Sequence, residues 1–330
     1  MATLYVQEQG ATVRKRAQQV LITKDEHTLQ EVPLTKIDQV VLMGKGVQLS
    51  TALLIDLLNR GIPVTLMNST GSRHYATLTA GPSRFAELRL RQMQRVGEPA
   101  WALDLSRAIV RAKLTNQRAV LATTGWPAAT TATAQIVAAE EGLDAAATLD
   151  AVRGYEGAGA AAYFGAWRTA LPQAWGFQGR AFYPPPDPVN ALLSFGYTLL
   201  MHDVLTAVQL VGLDPYFGVL HVLEVGRASL ALDLMEEFRP LVVDRLVLAL
   251  LQTGQVQHAQ FEASPGHPDG VHLDAAGRAL LIGHYETMMQ NPTRLPSGEQ
   301  TPLRRVIVLQ AQAVARLIRG EQAIYVGYSA

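Results

Sequence analysis

Hydrophobic residues along the first eighty positions form short runs that alternate with polar ones. Residues 3–7 and 19–23 are predicted to be β-strands, because charged or glycine-bearing turns separate them. Residues 36–43 and 62–67 are predicted to be further strands. In residues 50–59 leucines recur at helical spacing, which predicts a helix. The start of the chain is therefore expected to form a small β-rich domain that contains one helix.

Beyond the segment Ala80-Gly81-Pro82-Ser83 the periodicity becomes almost wholly helical, to about residue 252. We therefore expect an α+β protein, with a small β-rich N-terminal domain followed by a larger α-helical catalytic domain. The predicted divisions are residues 1–80 for the first domain, 81–95 for a linker and first helix, and 96–330 for the second. The Ala/Thr-rich residues 119–139 are expected to form a tightly packed or loosely ordered helical connection.

Composition narrows the classes of function. The chain is 48% hydrophobic and 17% charged, which is typical of a globular protein. It has no cysteine, which excludes disulfides, thiol catalysis and cysteine-ligated zinc. No uncharged apolar run reaches about 18 residues, so a membrane span is not expected. The first residues are not expected to be a secretory signal. The absence of cysteine suits a cytoplasmic protein, which is the predicted location.

The 28 basic side chains equal the 28 acidic ones, so composition alone does not suggest a nucleic-acid partner. Basic residues nevertheless recur at helical spacing in two stretches, which indicates either DNA contacts or solvated helix faces. They are Arg84, Arg91 and Arg95 in the first stretch, and Arg107, Arg111 and Arg118 in the second.

Glu156 lies in a glycine-rich part of a helical pattern. Gly154, Gly157 and Gly159 each disfavour a helix by roughly 1 kcal/mol relative to alanine. Such residues indicate close approach of another backbone or of a ligand. An acid there is either a poorly hydrated functional group or a surface glutamate beside a packing seam.

Asp187 and Pro188 have the residue types of an N-cap and a first helical turn, so a helix is predicted to begin there. Its residues Asn190, Ser194 and Tyr197 form one polar stripe on an otherwise apolar helix. The stripe either faces a polar ligand or belongs to a structural hydrogen-bond network.

His221 lies among apolar residues, which favours a core histidine. Asp233 and Glu236 are three residues apart, so a helix would place both on one face. One imidazole with two or three carboxylates suits Mg²⁺ or Mn²⁺. The sequence does not show whether these groups converge.

Two other patterns suggest metal sites. Histidines and acids are concentrated near residues 258–284, but the turn sequence Ser-Pro-Gly-His-Pro-Asp-Gly favours an exposed loop. The members of this cluster are His258, His267, His272 and His284, with Glu262, Asp269 and Asp274. The dipeptide His202-Asp203 is typical of HD-type phosphohydrolases, but the sequence has no companion pattern of ligands.

Several segments, in order along the whole chain, resemble the CRISPR-associated endonuclease/integrase family, the Cas1 proteins. They are Gly46–Ser50 (GVQLS), Lys113–Gln117 (KLTNQ), Arg153–Gly157 (RGYEG), Tyr163-Phe164, Pro185–Tyr197 (PPDPVNALLSFGY), His221 and Gly226–Pro240 (GRASLALDLMEEFRP).

The resemblance implies that Glu156, His221 and Glu236 are catalytic ligands of Mg²⁺ or Mn²⁺, with Asp233, Asn190 and Tyr197 as accessory residues. It implies transesterification, in which the 3′-hydroxyl of a spacer DNA attacks a CRISPR repeat, and nuclease activity at the same site. It also implies a homodimer and a complex with the small Cas2 subunit. The N-terminal domain is expected to provide the dimerisation and partner contacts. Candidate DNA contacts are Arg84, Arg91, Arg95, Lys113, Arg227 and Arg239. The alternatives are a non-catalytic, structural DNA-binding subunit or an HD-type metal phosphohydrolase.

Overall fold

The computed structural model describes residues 3–71, 74–80, 85–181, 184–264, 267–295 and 297–329. The chain divides into two compact units. Met1–Glu87 with Met289–Val308 form the β-rich unit, and Leu88–Met288 with Leu309–Ala330 form the helical unit. The predicted α+β class, β-rich first and helical afterwards, is confirmed. The division differs from the predicted one in assigning Met289–Val308 to the β-rich unit, since contacts between distant segments rather than local turn residues decide it.

Two four-stranded sheets form in the β-rich unit. The strands are β1 (Thr3–Val6), β2 (Thr12–Arg16), β3 (Gln19–Lys24), β4 (His27–Pro33), β5 (Gln39–Met43), β6 (Gln48–Leu49), β7 (Val64–Met67) and β8 (His74–Leu78). One sheet has the order β1-β5-β7-β8, with β1, β5 and β7 parallel and β8 antiparallel. The other has the order β4-β3-β2-β6. Helix α1 (Thr51–Asn59) contributes Leu53 and Leu57 to the same apolar core as the strands.

The predicted strands and helix of this unit are found, but one strand begins later than expected. Leu34–Lys36 form a short 3₁₀ turn, so β5 begins at Gln39. The strands β2 and β4 were not predicted because most of their side chains are exposed and polar. In β4, the five residues from His27 to Glu31 are exposed, so no apolar alternation indicates a strand there.

The second unit is built mainly of helices. They are α2 (Ala86–Val96), α3 (Pro99–Ala122), α4 (Pro127–Ala145), α5 (Leu149–Ala170), α6 (Pro188–Leu210), α7 (Ser229–Arg239), α8 (Arg245–Gln252), α9 (Ala275–Gln290) and α10 (Leu303–Arg319), with α9 and α10 each crossing the unit boundary. The described residues also form two separate two-stranded sheets: β9 (Phe261–Ser264) with β10 (His267–Leu273), and, in the β-rich unit, β11 (Pro292–Arg294) with β12 (Gln300–Pro302). The Ala/Thr-rich residues 119–139 span the end of α3 and most of α4, which packs along α5.

Helix α6 is the apolar centre of the helical unit. It begins after Asp187, whose side chain accepts a hydrogen bond from the Asn190 backbone N–H at 2.9 Å, as predicted. By length and composition it could cross a membrane, but 78% of its apolar window is buried inside the protein. Burial of this kind is what a core helix shows.

Helix α7 ends in an unusual turn. Pro240 has no N–H to donate to the carbonyl of Glu236, so the regular helical ladder cannot continue through it. The chain instead widens into a π-helical turn, Pro240–Asp244, before α8 begins. Because α7 packs against α3 and α6, and α5 packs against α3, side chains from these helices meet in one place.

Candidate metal centre

Glu156 lies two turns into α5, whose first turn is capped by Thr148. Its side chain is 26% exposed and forms an ion pair with Lys113. The close approach predicted from the glycines occurs at Gly159, where a Cβ atom would lie 2.2 Å from Cδ2 of Leu114. Gly154 and Gly157 face open space. Tight packing of α5 against α3 therefore begins one turn beyond the glutamate.

His221 is held by Asp233, which is fully buried on α7. The Nδ1 atom of His221 lies 2.7 Å from Oδ1 of Asp233, and the backbone N–H of His221 donates to the same oxygen at 2.9 Å. Since a carboxylate accepts, the Nδ1–H of His221 is the donor in this hydrogen bond. Nε2 lies 3.8 Å from Oε1 of Glu236.

Glu236 lies one helical turn beyond Asp233, and its side chain is 5% exposed. Lys113 Nζ lies 2.6 Å from its Oε2, and Arg239 Nε lies 3.1 Å from its Oε1. Burial favours the neutral acid, but Arg239, Lys113 and His221 together lower the pKa of Glu236 to about 2. Glu236 is therefore an anion at any physiological pH.

Lys113 links the two glutamates. It lies on α3, with its side chain 9% exposed, and its ammonium contacts both Glu156 and Glu236. Burial opposes its charge, but the two carboxylates raise its pKa above the ordinary value of 10.5. Lys113 therefore lies inside the site, and its predicted contact with DNA stays a prediction.

The donor set fits a hard or borderline divalent cation. Glu156 and Glu236 offer carboxylate oxygens, and His221 offers Nε2 with its other nitrogen held by Asp233, as is usual for metal-bound histidines. Among the residues that the structure describes, no three acidic or histidine side chains are already arranged to hold a metal ion. The ammonium of Lys113 lies where the two carboxylates approach each other.

The accessory residues Asn190 and Tyr197 do not contact the two glutamates directly. Asn190 bonds to Asp187, the carbonyl of Gly179 and the Arg180 guanidinium. Tyr197 donates to Asp244 at 2.5 Å, and the guanidinium of Arg239 lies 4.8 Å from its ring centroid. The polar stripe of α6 thus forms a structural network, which reaches the site through Arg239.

The π-helical turn brings Asp244 to this network. Its carboxyl is buried, which raises its pKa to about 6 although Tyr197 donates to it. The Arg180 guanidinium lies 5.3 Å from the Tyr197 ring, on which Arg239 also packs. The ring of Tyr197 therefore orients the guanidinium of Arg239, which in turn forms the ion pair with Glu236.

The other predicted DNA contacts are scattered. Arg84 lies outside the described residues. Arg91 and Arg95 are on α2, where Arg95 pairs with Glu98 at 2.8 Å. Arg227 is in the exposed loop after His221 and pairs with Glu224 at 3.0 Å. Arg239, which is 18% exposed, belongs to the site rather than to an open basic surface.

The second basic stripe is paired within the protein. Arg107 contacts Asp104 at 3.0 Å and also donates to the carbonyl of Ala146 at 3.2 Å. Arg111 and Arg118 contact Asp144 and Glu140, both on α4, at 2.7 Å each. These arginines link α3 to α4, so in this structure the stripe stabilises helix packing.

The rival metal patterns find no support in the described residues. The segment expected as an exposed loop contains the two-stranded β9–β10 sheet, in which Leu273 is buried and the Val271 N–H donates to Pro185. His272 lies 3.6 Å from Glu262, and His258 stacks on Trp175. The side chain of Asp269 is outside the description.

The His202-Asp203 dipeptide of the HD-type pattern lies in the protein core. His202 and Asp203 are buried in α6, and the hydroxyl of Tyr285 donates to Asp203 at 2.6 Å. A buried carboxylate that accepts a tyrosine hydrogen bond has a structural role, so Asp203 is interpreted as part of the core.

Two supports of the site, Arg153 and Glu237, lie in the quoted family motifs, but the sequence assigned them no role. Arg153, three residues before Glu156, donates to the carbonyl of Leu220 at 2.8 Å, so it ties α5 to the histidine loop. Behind the site, Glu237 accepts hydrogen bonds from the hydroxyl of Tyr325 at 2.6 Å and the backbone N–H of Tyr328 at 2.8 Å. Burial raises the pKa of Glu237 to about 7. The C-terminal segment is thereby docked next to Glu236.

Comparison with known proteins decides the family. The model of the family described as CRISPR associated protein Cas1 matches residues 4–287 of this chain. The chain belongs to the Cas1 family. The resemblance inferred from the sequence is confirmed. A relative from Thermus thermophilus, named CRISPR-associated endonuclease Cas1 1, is 37% identical over 319 residues, which cover 96% of this chain and 96% of the relative.

Solved structures share the fold of this Cas1-family chain. A casposase bound to integration product has a TM-score of 0.84 and 21% identity, covering all of this chain (100%) and 95% of the casposase chain. A chain of a Cas6-RT-Cas1–Cas2 complex has a TM-score of 0.83 and 23% identity; the match covers 99% of this chain and only 36% of that longer chain. At these identities the likeness establishes the fold.

Proposed function

We propose that this Cas1-family protein is a divalent-metal-dependent DNA endonuclease and integrase of CRISPR adaptation. The observation that carries the proposal is that Lys113 contacts both Glu156 and Glu236, while Nε2 of His221 lies 3.8 Å from Glu236 and Asp233 holds the other ring nitrogen. The name of the Thermus thermophilus relative supports the nuclease activity, and the fold shared with an integration-product complex supports strand transfer.

The proposed reaction is a transesterification. The 3′-hydroxyl of a spacer DNA attacks a phosphodiester of the repeat, a new oxygen–phosphorus bond forms, and the repeat strand leaves with its own 3′-hydroxyl. A bound Mg²⁺ or Mn²⁺ would polarise the phosphate and activate the attacking hydroxyl. No covalent intermediate with the protein is required. Attack by water on the same phosphate gives nuclease activity.

Each residue of the site has its own role in the proposed reaction. Glu156 and Glu236 supply negative oxygens and His221 supplies Nε2, while Asp233 holds the imidazole proton on Nδ1. Arg239 orients Glu236 through an ion pair at 3.1 Å. The proposed partners are spacer and repeat DNA and a second copy of the chain, and the proposed location is the cytoplasm. A small Cas2 subunit is also proposed as a partner, because the name of the Cas6-RT-Cas1–Cas2 complex joins the two proteins.

The test uses a branched DNA that mimics a half-integrated spacer, incubated with Mn²⁺, Mg²⁺ or EDTA. Wild type is expected to rejoin the target strand and release the branch only with metal, and Glu156→Gln is expected to lose this activity by at least about a hundredfold. Glu140→Gln is the matched control, because Glu140 pairs with Arg118 on α3 and is not one of the proposed metal ligands. Rejoining by Glu156→Gln at the wild-type rate would refute the site.

The second candidate is a structural DNA-binding subunit. It predicts that branched DNA binds to wild type and Glu156→Gln alike, and that neither protein rejoins it, even when a Cas2 subunit is added. The same assay therefore distinguishes the two functions, provided that binding is measured alongside rejoining.

A further inference from the structure

Lys113 has an unusual place in both the sequence and the structure. It is the one lysine after residue 45. Every other basic side chain of the Lys or Arg type from residue 88 onward is an arginine. Its ammonium contacts Glu156 and lies 2.6 Å from Oε2 of Glu236, with 9% of the side chain exposed. One positive charge is thus enclosed between two negative ones.

The two carboxylates need a cation between them. Buried like charges repel strongly, and removing one partner of a buried ion pair leaves an uncompensated charge. Arg239 pairs with the Oε1 atom of Glu236, whereas Lys113, among the described residues, forms ion pairs with both glutamates. The ammonium therefore does in this structure what a bound cation would do.

The residue type is informative. Lysine carries a compact point charge on a flexible stem, whereas arginine carries a planar fork that makes fixed, directional pairs. The arginines of the second basic stripe make such pairs with Asp104, Asp144 and Glu140. A lysine can fill a cation-sized place between two carboxylates and can leave it by rotation of its stem.

We propose that the ammonium of Lys113 occupies, in the metal-free protein, the place between Glu156 and Glu236 that a divalent cation takes, and that metal binding expels it. The inference rests on the proposed function, in which the same glutamates are metal ligands. Lys113 then has two effects. It stabilises the metal-free site, and it weakens metal affinity because its two ion pairs must be broken first.

The first test follows the exposure of Lys113. The full-length protein is acetylated briefly with an amine-reactive ester in EDTA or in saturating Mg²⁺, and each lysine is quantified by mass spectrometry. Lys113 is expected to be protected in EDTA and modified with Mg²⁺. The lysines of the β-rich unit serve as internal references; they are Lys15, Lys24, Lys36 and Lys45. Continued protection at a metal concentration that saturates the site overturns the inference.

The second test measures metal affinity and thermal stability. Lys113→Met is expected to bind Mn²⁺ roughly tenfold more tightly or better than wild type in calorimetry. In EDTA its melting temperature is expected to fall by about 5 °C or more, and Mn²⁺ is expected to close that gap. Lys15→Met is the matched control, because Lys15 pairs with Asp56 at 3.1 Å in the β-rich unit.

Glu156→Gln separates failure of the inference from failure of the proposed function. Equal Mn²⁺ affinity in wild type and Glu156→Gln would refute the metal site itself. Loss of affinity in Glu156→Gln, with no change in Lys113→Met, would refute the inference alone. If Lys113→Met does not fold in EDTA, the double variant Lys113→Met/Glu156→Gln, which removes one charge of each sign, is expected to fold. Its failure to fold would mean that Lys113 serves packing only, which also overturns the inference.

Discussion

The Nδ1 atom of His221 lies 2.7 Å from Oδ1 of Asp233, and the same carboxylate also accepts three backbone N–H groups. Those groups belong to Val219, Leu220 and His221 itself, at 2.6, 3.1 and 2.9 Å. Asp233 therefore shapes the loop as well as the imidazole. Its oxygens are fully used by these bonds, which distinguishes its role from that of Glu236 on the same helix face.

Replacing Asp233 with Asn is expected to weaken Mn²⁺ binding by about ten- to a hundredfold, because the imidazole loses the group that holds its proton on Nδ1. Unfolding free energy is expected to fall by about 1–3 kcal/mol, since an amide cannot accept at both positions. Calorimetric titration with Mn²⁺ and denaturant unfolding measure the two effects.

Asp187→Asn is the control for this substitution. Asp187 caps α6 and, like Asp233, is a buried acceptor of backbone N–H, at 2.9 Å. Its replacement is expected to change stability without changing Mn²⁺ affinity. A loss of affinity no greater in Asp233→Asn than in Asp187→Asn would contradict the positioning role.

Gly159→Ala is expected to destabilise the protein by about 1–3 kcal/mol, because the added Cβ would lie 2.2 Å from Cδ2 of the buried Leu114. Gly154→Ala on the same helix faces open space and is expected to stabilise by about 0.5–1 kcal/mol. Urea unfolding of both variants measures the difference. Equal effects would mean that α5 and α3 do not pack closely at Gly159.

Tyr325→Phe is expected to cost about 1–3 kcal/mol, because the buried Glu237 loses the hydroxyl that donates to it at 2.6 Å. Ile324→Ala, at a residue that is 73% exposed, is the control and is expected to be nearly neutral. Limited proteolysis of the C-terminal segment reports its release. Unchanged cleavage in Tyr325→Phe would show that the contact does not hold the segment.

Asp244 makes stability depend on pH. Burial raises its pKa from 3.8 to about 6, so the unfolded chain releases this proton at lower pH than the folded protein does. Its contribution to stability is fully present below pH 3.8 and is lost as the pH rises through about 6. Asp244→Asn does not titrate, so the unfolding free energy of wild type minus that of the variant is expected to fall by up to about 3 kcal/mol between pH 4 and 7. Denaturant unfolding at several pH values measures it, and a constant difference would contradict the raised pKa.

Much of the local structure was predictable because it depends on near neighbours in the chain. Asp187 and Pro188 predicted the start of α6, and leucine spacing predicted α1. The strand β4 was missed because its exposed residues show no apolar alternation, and only pairing with β3 makes it a strand. The Met289–Val308 segment could not be assigned from local turns, since contacts between distant segments place it in the β-rich unit.

For the candidate site, the sequence by itself determined the chemistry of the donors: Glu156, His221, and the pair Asp233 and Glu236 on one helix face. Helical spacing specifies which residues share a face, and residue type specifies what they can bind. Only the tertiary structure decided that Asp233 holds the imidazole, and that Lys113 lies between the two glutamates. The reason is physical: periodicity along one helix carries no information about which distant helix packs against it.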